Sequence, residues 1–155
     1  MFHRWPALVL VLVVSAMMPK QAAGQQAQSP QKPSAGKFGR SYPNPFNPHV
    51  YSNFSIGSSC APGETHAVTV RILNILAQPV VIPVLYGPSA NSTSGASSSM
   101  NGSPLSNLRL ECGDYTSFWD GKVADHSRDA ASGTYIVQLI VDGKLASSTR
   151  IYYRK

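Results

Sequence analysis

Charge is scarce in this 155-residue chain: Asp, Glu, Lys and Arg together make up 13% of it. The cations stand singly, as at Arg71, Arg109, Lys122, Arg128 and Lys144, until Arg154-Lys155 closes the sequence. Without a Lys/Arg stripe there is no track for a phosphate backbone, so nucleic acid is not an expected partner. Cysteine is nearly absent too. Cys60 and Cys112 are the only two, and none follows the apolar run near the start, which argues against a lipoprotein anchor. The signatures of chemistry are also missing. His49, His66 and His126 show no H-x-x-x-H spacing, the cysteines no C-x-x-C, and no serine sits in a G-x-S-x-G elbow. Asp114, Asp120, Asp125 and Asp129 fall in one stretch and offer oxygens for Ca²⁺, but their spacing fits no EF-hand, and turn or cap duties account for them. No catalytic residue, metal site or cofactor is expected, and the chain reads as not being an enzyme. No convincing amphipathic helix appears, which excludes helical and βαβ architectures.

What is present divides the chain. Residues 1–24 carry His3 and Arg4, an apolar run from Ala7 to Met18, and small residues Ala22-Ala23-Gly24, as a cleavable signal peptide does. The run is too short to span a bilayer comfortably, so no stable membrane span is expected after cleavage. Cleavage removes Arg4 and Lys20 and lowers the formal charge from +6 to +4. Residues 25–40 are rich in Gln, Ser, Pro, Ala and Gly with no apolar period, the composition of a flexible linker. In an exported chain, Cys60 and Cys112 are expected to form a disulfide, although two separately buried thiols are the other reading.

From residue 41 to 155 short β-rich runs alternate with turn residues, the pattern of an all-β sandwich. Seven strands are expected: 50–56, 67–73, 80–86, 108–112, 115–119, 134–141 and 145–153. Phe54 and Ile56, Val68, Val70 and Ile72, and Tyr135, Val137 and Leu139 mark single faces. Pro83 lacks the ladder donor, so 80–86 belongs at an edge or bulge. Asp142-Gly143 predicts a tight hairpin. Residues 87–106, crowded with Ser, Asn, Gly and Pro, read as a mobile surface loop. Tyr42, Tyr51, Tyr86, Tyr115, Tyr152 and Tyr153 offer an aromatic platform for sugars or peptides, or cross-strand and core partners.

The word Tyr42-Pro43-Asn44-Pro45-Phe46-Asn47-Pro48 stands out, because alternating prolines lock φ and forbid a helix. Asx-turns at the two Asn and ring packing by Tyr42 and Phe46 would pin it to a sheet. Together with Trp119-Asp120-Gly121 and Ala131-Ser132-Gly133-Thr134-Tyr135, this word resembles the FlgD-like immunoglobulin-like domain of the flagellar hook-capping protein. It is also similar to the C-terminal sorting domains of type IX secretion. The resemblance covers residues 42–155 and implies an immunoglobulin or fibronectin type III-like antiparallel sandwich of about seven strands. Trp119 would fill the core, Asp120-Gly121 would make a positive-φ turn, and Gly133 would bend the chain before Tyr135 packs.

The expectation is a secreted or cell-surface module for extracellular assembly, engaging a protein or other cell-surface component. Two alternatives stand beside it: a sorting or anchoring domain for outer-membrane secretion, and a small metal-dependent hydrolase or calcium- or carbohydrate-binding module.

Overall fold

A computed structural model describes residues 35–57, 60–88, 100–124 and 127–155. The segment read as a signal peptide lies outside the described residues, as does the linker up to residue 34. Nine strands form: β1 (Gly36–Tyr42), β2 (Val50–Ile56), β3 (Thr65–Asn74), β4 (Pro79–Val81), β5 (Val84–Pro88), β6 (Leu108–Glu111), β7 (Gly113–Trp119), β8 (Gly133–Val141) and β9 (Lys144–Tyr153). One sheet has the order β1-β2-β7-β5; the other has β4-β3-β8-β9, with β6 paired to β3. All these pairs are antiparallel. In immunoglobulin lettering the first sheet is A-B-E-D and the second C′-C-F-G, the two layers of an immunoglobulin-like sandwich.

The layers follow from alternation. Val50, Ser52, Phe54 and Ile56 of β2 and Tyr115, Ser117 and Trp119 of β7 turn inward from the first sheet. Val68, Val70 and Ile72 of β3 meet them from the second, with Tyr135, Val137, Leu139 and Val141 of β8. Such period-two burial is what a sheet with one face packed and one face wet requires. At the start of β8 the Tyr135 hydroxyl donates to the Ala131 carbonyl at 2.6 Å, the tyrosine corner of immunoglobulin folds. Tyr115 does the same to Glu111 at the start of β7, at 2.7 Å. Burial raises the pKa of both phenols and keeps them protonated as donors. Asp142 and Gly143 have φ of 50° and 75°, the two positive values of a type I′ hairpin.

Nine strands replace the seven expected, for two reasons. Pro83 does not sit within one edge strand but divides it, giving β4 in one sheet and β5 in the other. A proline cannot donate to a ladder, and its carbonyl here accepts the Leu105 N–H at 2.9 Å instead. The other addition is β1, which begins at Gly36 where a linker to residue 40 was expected. Of this edge strand Phe38 is the one large side chain packed on the core and Gly36 lies buried without one, so the alternation that betrays other strands is missing.

The surface-loop expectation for 87–106 also needs correction at both ends. Gly87 and Pro88 belong to β5. Leu105 is fully buried, its carbonyl accepts the Val70 N–H, and Ser103 and Gly102 bond the backbone of Leu85. Leu105, with Met100 also packed against the core, ties that segment in among its serines; residues 89–99 lie outside the described residues.

Candidate functional site

The proline word leaves β1 and crosses to the far edge of the other sheet. Phe46 donates its N–H to Tyr152 O at 2.9 Å and accepts from Arg154 N at 3.0 Å, a parallel bridge beside the end of β9. Asn44 does not close an Asx-turn; its Oδ1 accepts the Tyr152 N–H at 2.9 Å. Phe46 is 1% exposed, stacked on Tyr153 at 4.7 Å and tilted against Trp119 at 5.3 Å. Trp119 meets Tyr135 edge-on at 5.1 Å and donates its indole N–H to Lys122 O at 2.7 Å. Gly121 has φ of 78° and lies against the Pro48 carbonyl, while Asp120 Oδ1 accepts the Lys122 N–H. The structure thus brings Phe46, Pro48, Trp119, Gly121 and Tyr135 into one cluster at one end of the sandwich. Pro43, Pro45 and Asn47 are exposed around it. Gly133 is exposed and a Cβ there would meet nothing within 4 Å. This assembly holds sheets together and offers no reactive group.

Tyr42 goes elsewhere. It pairs with Tyr51 across β1 and β2, Tyr51 pairs with Phe118 of β7, and Phe118 with Val84 of β5. The result is one cross-strand row that spans all four strands of the first sheet on its outer face. Tyr42 and Tyr51 stack at 5.7 Å; Tyr86 meets Tyr51 at 4.8 Å and Phe118 at 5.9 Å. His49 closes the group at 5.7 Å from Tyr51 and 6.0 Å from Phe118. Tyr42 is 43% exposed and Tyr86 53%, with Ile82 exposed nearby in sequence. Partial burial, then a hydrogen bond to Tyr86, raises the Tyr51 phenol above its usual 10.0. Of the six tyrosines considered for a platform, Tyr42, Tyr51 and Tyr86 converge here, Tyr115 and Tyr153 are core, and Tyr152 is exposed on β9. Phe118 and His49 were missed as members. Strand parity alone puts Phe118 opposite Trp119 in direction, but only the register with β2 and β5 shows which rings it meets.

At the opposite end, Cys60 and Cys112 form a disulfide with a Cα separation of 6.2 Å, as expected. It joins the β2–β3 connection to the β6–β7 connection. Such a bond belongs to an oxidising, non-cytoplasmic environment. His66 of β3 stands beside it: a ring nitrogen and the two sulfurs all lie within 4.8 Å of one another. Nδ1 is 2.7 Å from Asp142 Oδ2, and Asp142 Oδ1 accepts the Ala67 N–H at 2.9 Å. These bonds, the one from His66 foremost, hold the Asp142 carboxyl below the usual 3.8. Nε2 is shut off from water and makes no hydrogen bond; Glu64 Oε1 approaches it only to 3.5 Å. An orphan of that kind costs about 1–3 kcal/mol. A cleft of about 330 Å³ opens on the disulfide, lined by Ser55, Gly57, Cys60, Cys112 and Asp114 among others. No local pattern betrays this grouping, since its members are scattered from residue 60 to residue 142.

Asp114 is not gathered with the rest of the acidic stretch: it is the second residue of β7 and Asp120 follows that strand's end, roughly 20 Å away at 3.3 Å per residue. Asp129 pairs with Lys155 at 3.5 Å, and Asp125 lies outside the described residues, as does His126. Among the described residues no helix is long and apolar enough to cross a membrane.

The architecture and its two clusters define the class: an antiparallel β-sandwich of immunoglobulin topology with an aromatic outer face. Comparison with models of known families finds no match, nor does comparison with curated proteins. Among solved structures, the chain is similar to Pseudomonas fluorescens alkylpurine DNA glycosylase AlkC bound to DNA containing an abasic site analog, at 15% identity and a TM-score of 0.40. The match covers 79% of this chain and 31% of the glycosylase chain, so this chain spans less than a third of that protein's length. That neighbour is an enzyme, and on this finding the expectation that the chain is not one is withdrawn.

Proposed function

We propose that this protein is an exported, immunoglobulin-like interaction module related to the FlgD-like domains, which docks a polypeptide partner outside the cytoplasm on the outer face of the β1-β2-β7-β5 sheet. The observation that carries this reading is the convergence of five rings from Tyr42, His49, Tyr51, Tyr86 and Phe118 on a solvent-facing sheet surface. Such faces are ordinarily polar, and a contiguous aromatic patch marks an interaction site. Tyrosine suits that role because it supplies apolar area and a hydroxyl at low entropic expense. Ring geometry favours a polypeptide over a sugar. Tyr42 and Tyr51 spend their faces on each other at an interplanar angle of 25°, and Tyr86 meets Tyr51 at 65°, so no flat strip is left for pyranose rings to lie on.

The test is affinity capture with the purified mature protein from outer-membrane and culture-medium fractions, run beside the Tyr42→Ser/Tyr86→Ser double variant. The reading expects defined proteins held by the wild type and released by the variant while both unfold at similar temperatures. Identical capture by the two would sink it.

The sorting alternative has its own observation. Pro43, Pro45, Phe46, Asn47, Arg154 and Lys155 line a cleft of about 480 Å³ where the proline word meets the basic residues after β9. If this is a signal read by a secretion machine, a reporter fused to residues 41–155 leaves the cell and one lacking Arg154 and Lys155 stays behind.

A further inference from the structure

We propose that the Cys60–Cys112 disulfide covers a zinc site: once the bond is reduced, the two thiolates and His66 Nε2 bind one Zn²⁺. Three observations converge on it. A His66 ring nitrogen and both sulfurs lie within 4.8 Å of one another. Nδ1 is committed to Asp142 at 2.7 Å, which leaves Nε2 as the nitrogen available to a metal, and that atom is buried with no hydrogen-bond partner. Asp142 is itself fixed by the Ala67 N–H at 2.9 Å. A carboxylate holding the far nitrogen of an imidazole is how proteins orient a histidine toward zinc and raise its basicity.

The ligand set is of a known kind. Two cysteines and one histidine leave a fourth tetrahedral position for a water or for Glu64, whose Oε1 is 3.5 Å from Nε2. Zinc–sulfur bonds of about 2.3 Å set the two sulfurs roughly 3.8 Å apart around the metal. The Cα atoms stand 6.2 Å apart, and rotation of the two side chains after the bond breaks is the movement the site asks for. The cleft of about 330 Å³ along the disulfide gives a small reductant access to the sulfurs.

The chemistry balances with a dithiol as the named reductant. Its two thiols supply two electrons and two protons, the Cys60–Cys112 bond breaks to two thiols, and the reductant leaves as its own disulfide. Zinc then displaces the two thiol protons to solvent, since the thiolate and the neutral imidazole are the binding forms. Sequence spacing hides the site because Cys60, His66 and Cys112 belong to no short metal-binding pattern.

The experiment uses the full mature chain, reduced without oxygen by a dithiol that is then removed, and titrated with Co²⁺ as a spectroscopic stand-in for zinc. A thiolate-to-cobalt charge-transfer band that saturates at one metal per chain, is abolished by Zn²⁺, and is absent from the oxidised protein is the expected result. His66→Gln removes the nitrogen and Asp142→Asn weakens its orientation; each should lower the cobalt affinity about 10–100-fold. Circular dichroism of the reduced Asp142→Asn protein ensures that this comparison is made on a folded chain. No charge-transfer band in the reduced wild type, or unchanged affinity in folded Asp142→Asn, would overturn the proposal.

Discussion

Single residues carry more of this fold than their size suggests. Gly121 has a φ of 78° and its Cα faces the Pro48 carbonyl, so a methyl group there is strained by the backbone and blocked by a neighbour that cannot rotate away. Gly121→Ala is expected to destabilise the protein by about 3 kcal/mol, combining left-handed strain with overpacking, as read from the denaturant midpoint. Asp142 shows a weaker and pH-dependent effect. Its folded-state pKa is depressed below 3.8 by the His66 and Ala67 bonds, so its contribution is complete above that value and fades as pH falls through the lower folded value. The carboxyl is exposed, so screening keeps the effect under about 1 kcal/mol. The stability difference between wild type and Asp142→Asn should therefore be constant near neutrality and shrink below about pH 4; a difference that grows in acid would contradict this. What the sequence revealed at this scale was local. Trp119 and Asp120-Gly121 are read from three adjacent residues, whereas His66 gains meaning only from Cys60, Cys112 and Asp142, which the fold brings together from separate turns.

At the scale of elements, strands with one apolar face were legible and strands specified by backbone pairing were not. β8 alternates over its whole length and its bounds were read almost to the residue. β1, Gly-Lys-Phe-Gly-Arg-Ser-Tyr, is held by its ladder to β2, with a register shift between Phe38 and Ser41, and nothing in its composition announces that. Leu105 was lost in its serine-rich surroundings for the same reason: burial of one residue leaves no period. Two truncations measure these elements. Phe46→Ala opens the stack of Phe46 on Tyr153 and Trp119 and should cost about 3–5 kcal/mol, and Leu105→Ala about 2–5 kcal/mol, despite their proline-rich and serine-rich settings. Tyr152→Ser, on the exposed side of β9, is the control and should change stability by no more than about 0.5 kcal/mol. If Leu105→Ala were as silent as the control, the segment from 100 to 106 would not be part of the core.

The whole molecule places different tasks at its parts. The proline word, Trp119 and Tyr135 close one end, and the disulfide closes the other across a sequence separation of 52, which in the chain-entropy account is worth about 4 kcal/mol. With the inner faces and both ends so committed, the outer face of the first sheet is where exposed aromatic rings cluster, Tyr152 on β9 standing apart from them. The tyrosines there are not needed for the sandwich to stand: a cross-strand ring pair contributes roughly 0.2–1 kcal/mol, far less than Phe46 or Trp119 buried in the core. A stability scan should therefore separate the two sets of rings. Tyr42→Ser and Tyr86→Ser should each lower the unfolding free energy by no more than about 1 kcal/mol, yet weaken capture of a polypeptide partner at least tenfold, about 1.4 kcal/mol. Phe46→Ala should do the opposite at a temperature where it remains folded, losing stability and keeping the partner. Were Tyr86→Ser to unfold the protein as readily as Phe46→Ala does, the rings of the outer face would be a second core, and the case for a docking surface would fall with them.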